Sequence, residues 1–186
     1  MSAATNNSAH TAADGAHTVN GTPRGFTSLT PFLVVSDAAA AIDFYVAAFG
    51  AIEVSRVESP APDGEGALVA HAELDFGDGR LQLGDPNPQY GLVAAARPAG
   101  PDADSVSNSM TLYRPDVDAV VERALAAGAT LREPVTDFVS GDRFASLLDP
   151  VGRRWNVMTR TVDISEAESA RRVDEWAAAG FPAMDG

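Results

Sequence analysis

Residues 29–50 read LTPFLVVSDAAAAIDFYVAAFG, and this stretch decides the fold. An apolar run, Phe32 to Val35, is followed by Ser36 and Asp37, two residue types that commonly begin a helix. The next residues are apolar at the spacing of one helix face and end at a glycine: Ala38, Ile42, Tyr45, Phe49 and Gly50. The stretch therefore predicts a strand followed by an amphipathic helix.

The same pattern recurs in residues 109–128, SMTLYRPDVDAVVERALAAG. Asp116 is the expected helix cap and Gly128 the expected stop. Between them lies a predicted apolar stripe of Val117, Val121, Ala124 and Leu125. Both strand–helix pairs are followed by strand-like sequence at a similar spacing, which predicts a duplicated structural module.

Three strands are predicted after each helix, because short apolar or alternating runs are separated there by Gly- and Pro-rich turns. In the first unit they are Ala51 to Val57, Ala67 to Phe76 and Arg80 to Leu83. In the second unit they are Thr130 to Pro134, Arg143 to Leu148 and Arg154 to Met158. Each unit is therefore predicted to have the order βαβββ.

The chain divides into a tail, a domain and an extension. Residues 1–25 are mainly Ala, Ser, Thr, Asn and Gly, with no aromatic residue and no periodicity, and we predict a disordered tail. The domain spans residues 26–160, with modules at about 29–85 and 109–160 and a connector at 86–108. In the extension, residues 161–186, Ser165 and Glu168 predict a capped helix. Its apolar residues are expected to dock on the domain or on a second subunit.

Composition excludes several classes of function. The 186 residues contain no cysteine, so disulfides and thiolate metal sites are excluded. A formal net charge of −13 argues against nucleic acid as a partner. No apolar run is long enough to cross a bilayer, so we predict no membrane partner and a cytoplasmic location. The acidity modestly favours a cationic ligand, or it serves solubility alone.

Four stretches together resemble the vicinal oxygen chelate superfamily of glyoxalase I, extradiol dioxygenases and bleomycin resistance proteins, and within it the PhnB-like branch. They are Pro31 to Ala51, His71 to Asp85, Asp116 to Ala129 and Gly141 to Val157. The resemblance implies an α+β fold of two tandem βαβββ modules, whose strands form a cup-shaped mixed sheet around a small ligand. It also implies a homodimer.

The superfamily's metal enzymes carry His, Glu or Gln at defined strand positions. The resemblance places these positions at Thr30, Ser109, Asn156 and either Gln82 or Leu83. Threonine, serine and asparagine are neutral, weak ligands, whereas a tight divalent site needs imidazole or carboxylate donors. We therefore predict no metal and no other cofactor.

The same resemblance and strand alternation predict the lining of a ligand pocket. Its expected members are Thr30, Phe32, Gln82, Ser109, Thr111, Tyr113, Arg154 and Asn156. His71 and Glu73 point the same way from one strand, so they are candidates for a catalytic acid–base pair, or for a solvated strand face.

The sequence therefore leaves three hypotheses for function. The first is a metal-independent protein that binds and sequesters a small drug-like molecule or metabolite. The second is a metal-free isomerase, cyclase or lyase that uses His71 and Glu73. The third is a metal-dependent lyase or dioxygenase, which requires metal ligands that these positions do not supply.

Overall fold

The computed structural model describes residues 11–61, 64, 66–96 and 105–182. The first half contains β1 (Thr18–Val19), β2 (Thr22–Pro23), β3 (Phe32–Val34), α1 (Ala38–Phe49), β4 (Ile52–Pro60), β5 (Ala67–Asp75) and β6 (Arg80–Gly84). The second half contains β7 (Ser109–Tyr113), α2 (Val117–Ala126), β8 (Thr130–Asp137), β9 (Asp142–Leu148), β10 (Arg154–Arg160) and α3 (Glu166–Ala178).

The two modules have the same strand order. The first sheet runs β3-β6-β5-β4 and the second runs β7-β10-β9-β8. In the first sheet β3 is parallel to β6, and in the second sheet β7 is parallel to β10. The other neighbouring strands are antiparallel. The predicted α+β class and tandem βαβββ order are confirmed. The strands form two four-stranded mixed sheets, and no strand pairing joins the modules within the described residues.

Local signals place the helices where the sequence predicts them. The Asp37 side chain accepts a 2.9 Å hydrogen bond from the Ala40 amide at the start of α1. Asp116 caps α2 in the same way through the Ala119 amide, at 3.0 Å. Gly50 ends α1 with a φ of 69°, a left-handed conformation that glycine adopts without strain.

A single apolar core lies between the two sheets and their helices. Trp155 on β10 packs against α1, with its ring centroid 5.1 Å from that of Tyr45 and 4.8 Å from that of Phe49. All four apolar residues predicted to face inward on α1 are buried. On α2 the predicted stripe is partly wrong, because Leu125 is exposed and Val120 is buried in its place.

The segments outside the modules are short structures on the surface. Within the predicted tail, Thr18–Val19 pairs with Thr22–Pro23 as a hairpin that composition did not indicate, and residues 1–10 lie outside the described part. The Ser165 hydroxyl accepts a hydrogen bond from the Glu168 amide and begins α3, as predicted. None of the residues of this fully described helix is buried.

Part of the connector is also described. Pro88–Tyr90 forms one turn of 3-10 helix, while residues 97–104 lie outside the described residues. In the described part of the chain, no helix is both long and apolar enough to cross a membrane.

Candidate functional site

Each sheet has one face against the core and one face that is open. In the first sheet Leu33, Ala72 and Leu83 belong to the core. Side chains alternate along a strand, so their neighbours Phe32, His71, Glu73 and Gln82 lie on the opposite side, called here the first-sheet open face.

The second sheet follows the same alternation. Leu112, Trp155 and Val157 belong to the core. Ser109, Thr111, Tyr113, Arg154 and Asn156 therefore lie on the other side, the second-sheet open face. Since one core lies behind both sheets, a single chain places the predicted pocket residues on two separate faces, where the sequence predicted one cup.

The polar residues of the first-sheet open face are already engaged. Glu73 forms an ion pair with Arg80, whose guanidinium also lies 3.5 Å from Asp75. The His71 ring lies beside Phe32 instead, with ring centroids 5.9 Å apart. No hydrogen bond joins His71 to Glu73 among the described residues.

The N-terminal segment covers part of this face. The Arg80 guanidinium stacks on the Phe26 ring, 5.1 Å from its centroid. Gly25 passes so close that a Cβ there would lie 2.7 Å from Arg80 Nη2. Phe26 therefore closes one side of the Glu73–Arg80 ion pair.

The second-sheet open face carries a cavity of about 460 Å³, called here the second-sheet cavity. Three predicted residues line it: Ser109, Arg154 and Asn156. The Asn156 amide donates a 3.4 Å hydrogen bond to the Ser109 hydroxyl. The structure therefore brings together the second-module half of the predicted pocket.

Six further residues outside the predicted set line this cavity: Arg132, Glu133, Phe138, Phe144, Met158 and Trp176. Met158 shares the strand alternation of Arg154 and Asn156, and β8 extends past its predicted end at Pro134 to Asp137. Trp176 on α3 packs edge-to-face on Phe138, with centroids 5.1 Å apart. The capping residues predict α3, but no local signal shows where its tryptophan docks.

Other predicted pocket residues lie elsewhere. Thr111 and Tyr113 line a smaller cavity of about 290 Å³, between β7 and the hairpin that joins β5 to β6. Arg114 binds the two modules there, since its guanidinium donates to the Phe49 carbonyl at 3.2 Å and to the Phe76 carbonyl at 2.9 Å. Burial lowers the pKa of Arg114. Thr30, Phe32 and Gln82 line neither cavity.

The residues at the superfamily's metal positions do not fit a divalent ion. Ser109 and Asn156 offer neutral oxygens, Gln82 lies on the other sheet, and Thr30 lies two residues before the start of β3. The carboxylates on the two open faces, Glu73 and Glu133, are each paired with an arginine. Within the described ranges, no three His, Asp or Glu side chains form a group that would hold a metal. No chemical step is therefore assigned to a metal ion.

Comparison with known proteins confirms the resemblance at the level of the superfamily. Residues 16–157 match the Glyoxalase/Bleomycin resistance protein/Dioxygenase superfamily. The chain is 39% identical over 145 residues to Uncharacterized protein Rv0887c of Mycobacterium tuberculosis (strain H37Rv), covering 77% of this chain and 81% of that protein.

Solved structures share the fold. TioX from Micromonospora sp. ML1 is 26% identical with a TM-score of 0.53, over 72% of this chain and 98% of TioX. The Arabidopsis thaliana gene product AT5G48480 is 25% identical with a TM-score of 0.52, over 71% of this chain and 98% of that chain. The chain therefore belongs to the Glyoxalase/Bleomycin resistance protein/Dioxygenase superfamily.

Proposed function

We propose that this chain is a metal-independent binding protein that holds a small organic molecule, a drug-like compound or a metabolite, in the second-sheet cavity. The observation that carries the proposal is the convergence of Ser109, Arg154 and Asn156 on an apolar-walled cavity of about 460 Å³. Small-molecule sites commonly have volumes of about 300–1,000 Å³, with mostly apolar walls and a few placed polar groups.

Sequestration agrees better with the side chains than catalysis does. A general acid or base must reach the reacting atom with its proton-transferring group available. Glu73 is instead paired with Arg80, whose guanidinium stacks on Phe26, and His71 packs beside Phe32. The alternative, a metal-free isomerase, cyclase or lyase that uses His71 and Glu73, therefore has less support.

We also propose that the protein acts as a homodimer. The first-sheet open face presents apolar side chains to solvent, with Phe32 38% exposed and Val57 56% exposed. Val57 is paired in register with His71, so it shares that face with the predicted polar residues. A second copy that lays its second-sheet open face on this one would cover these side chains and close the cup.

Within the superfamily we place the chain in the PhnB-like branch. The support is the combination of four stretches: Pro31 to Ala51, His71 to Asp85, Asp116 to Ala129 and Gly141 to Val157. The PhnB protein of Bacillus cereus shares the fold, with a TM-score of 0.53 at 20% identity.

The test of binding is a thermal-shift screen of the full chain against a small-molecule fragment library. Binders of the second-sheet cavity are expected to lose their stabilising effect in Ser109→Trp, which fills the cavity from an exposed strand position. The matched control is Ser36→Trp, the same change at an exposed position in the turn before α1. The proposal is wrong if no fragment stabilises the protein, or if Ser109→Trp and Ser36→Trp affect the hits equally.

A further inference from the structure

One wall of the second-sheet cavity is contributed by helix α3. Among the described lining residues, all but Trp176 belong to strands β7–β10 or to the turn between β8 and β9. Trp176 lies near the end of α3, beyond the residues 16–157 that match the superfamily. The chain's own extension therefore covers part of a cavity that the domain otherwise forms.

The beginning of the extension is fixed to the domain by close contacts. The Val162 amide donates a 3.1 Å hydrogen bond to the Gly141 carbonyl. Gly141 lies so close to the extension that a Cβ there would be 3.2 Å from Ile164 Cδ1. Within the first turn of α3, the Ser169 hydroxyl donates a 3.0 Å hydrogen bond to the Ser140 carbonyl. These contacts hold one end of the helix on the β8–β9 turn.

The far end of α3 is held in a different way. The Trp176 ring packs edge-to-face on Phe138, with ring centroids 5.1 Å apart. The Trp176 indole N–H donates a 2.9 Å hydrogen bond to the Pro182 carbonyl, and its ring contacts Phe181. Both of these partners belong to the extension and move with the helix. Separating Trp176 from Phe138 therefore leaves the indole donor paired, which avoids the main cost of opening a polar contact.

Charged side chains of α3 are also paired within the helix. Arg171 forms ion pairs with Glu168 and Glu175, and Arg172 forms one with Glu168. These pairs are kept when the helix moves as a unit. None of the residues of this fully described helix is buried, so moving it away from the domain exposes little apolar surface. Elements with few buried contacts open at the lowest cost in free energy.

We infer that α3 is a lid on the second-sheet cavity. It pivots at its anchored beginning, near Ser140 and Gly141, and its far end lifts Trp176 off Phe138 to admit a ligand. When the far end returns, Trp176 closes over the ligand. A lid of this kind slows release, which is the property that a sequestering protein requires. The inference rests on the proposed function, because it states how access to the same cavity is controlled.

The first test measures whether α3 opens in the free protein. The chain contains no cysteine, so spin labels attach only at introduced cysteines. The reporting pair is Glu175→Cys near the end of α3 with Glu122→Cys on α2, both at exposed positions. Double electron–electron resonance should show two distances for this pair, and saturating anilinonaphthalene sulfonate should remove the longer one. The control pair is Asp43→Cys on α1 with Glu122→Cys. Since α1 packs against α2, this pair should show one distance that the dye does not change.

The second test links the helix to the domain. Val139 and Arg172 line one surface hollow, so the thiols of Val139→Cys and Arg172→Cys are within reach of the cleavable linker dithiobismaleimidoethane. Linking should slow both association and release of the dye by about tenfold in stopped-flow fluorescence, because the lid no longer opens freely. Dithiothreitol cuts the linker and should restore both rates in the same sample. The matched control, Glu168→Cys with Arg172→Cys, places the linker within α3 and should leave the rates unchanged.

Each outcome decides for or against the lid. One narrow distance in the free protein overturns the inference, as does a dye that leaves the two distances unchanged. Equal dye kinetics before and after dithiothreitol, or an equal effect of the linker within α3, also overturns it. The proposed function is judged separately: it stands if fragments stabilise the wild type and lose that effect in Ser109→Trp, whether or not α3 opens.

Discussion

The phenol of Tyr45 on α1 donates a 2.7 Å hydrogen bond to the carboxylate of Asp149, in the turn between β9 and β10. The same carboxylate oxygen accepts a 3.0 Å bond from the Trp155 indole. Tyr45 and Asp149 are both buried, with Asp149 only 2% exposed. Burial raises the pKa of Tyr45 and of Asp149. Helix α1 of the first module is thus hydrogen-bonded to the β9–β10 turn of the second module.

We expect Tyr45→Phe to lower the free energy of unfolding by about 1–3 kcal/mol, because it removes a donor from a buried carboxylate. Urea denaturation measures the change. The matched control is Tyr90→Phe, whose ring is 79% exposed and whose stability should change by no more than about 0.5 kcal/mol. Equal effects of the two substitutions would show that the buried hydrogen bond contributes nothing.

The stability of α3 should fall at acid pH. Hydrogen bonds and charge from Arg171 and Arg172 lower the pKa of Glu168 to about 2, below its ordinary value of 4.5. A carboxylate with a lowered folded pKa stabilises the folded form above its unfolded pKa, and this contribution is lost as pH falls from 4.5 towards 2. Helix content by circular dichroism should drop more steeply over this range in the wild type than in Glu168→Gln. Parallel curves would contradict the prediction.

Trp176→Ala should weaken ligand binding and leave the fold intact. An edge-to-face aromatic pair is worth about 0.5–1.5 kcal/mol, so the affinity for an aromatic fragment identified in the thermal-shift screen should fall about three- to tenfold. The melting temperature should change little, because no residue of the fully described helix α3 is buried. Tyr90→Ala, an exposed aromatic in the connector, is the control and should leave affinity unchanged. An unchanged affinity in Trp176→Ala would exclude this side chain from the binding wall.

Purified untagged protein should contain far less than one divalent ion per chain. Ser109 and Asn156 are neutral donors, and the carboxylates on the two open faces, Glu73 and Glu133, are paired with arginines. Plasma mass spectrometry of the protein measures the content, and excess EDTA should leave the melting temperature unchanged. One ion per chain that survives dialysis would restore the metal-dependent hypothesis.

Val57→Glu should dissociate the proposed homodimer, because it places a charge on the apolar part of the first-sheet open face. Light scattering after size-exclusion chromatography reports the mass. Val93→Glu is the control, since Val93 is more exposed and lies outside the sheets. A wild-type mass equal to one chain, 19.3 kDa, would rule out the homodimer directly.

The parts of the fold that could be predicted depend on short-range interactions. Asp37 and Asp116 cap helices because their side chains bond amides three residues later. Gly50 ends α1 because its backbone tolerates a positive φ. Signals of this kind involve only residues that are a few positions apart in the chain, and the duplication repeats them. A single sequence was therefore enough to predict the order of helices and strands.

For the candidate site, the sequence predicted which residues share a strand face, but not how the two faces are arranged. Strand alternation correctly places Arg154 and Asn156 on one face, and His71 and Glu73 on another. It does not say that one core lies behind both sheets, or that Arg80 reaches Glu73. Which faces are brought together depends on how α1 and Trp155 pack between the modules.

The amino-acid sequence by itself determined the two βαβββ modules, their caps and the neutral side chains at the metal positions. The tertiary structure alone decided that the strands divide into two sheets, and that Trp176 of α3 completes a cavity with Arg132 and Phe138. The physical reason is the separation along the chain of the residues that interact. Caps and periodicity act between neighbours in the chain, whereas a cavity is made by side chains that are distant in sequence and meet only when the core is packed.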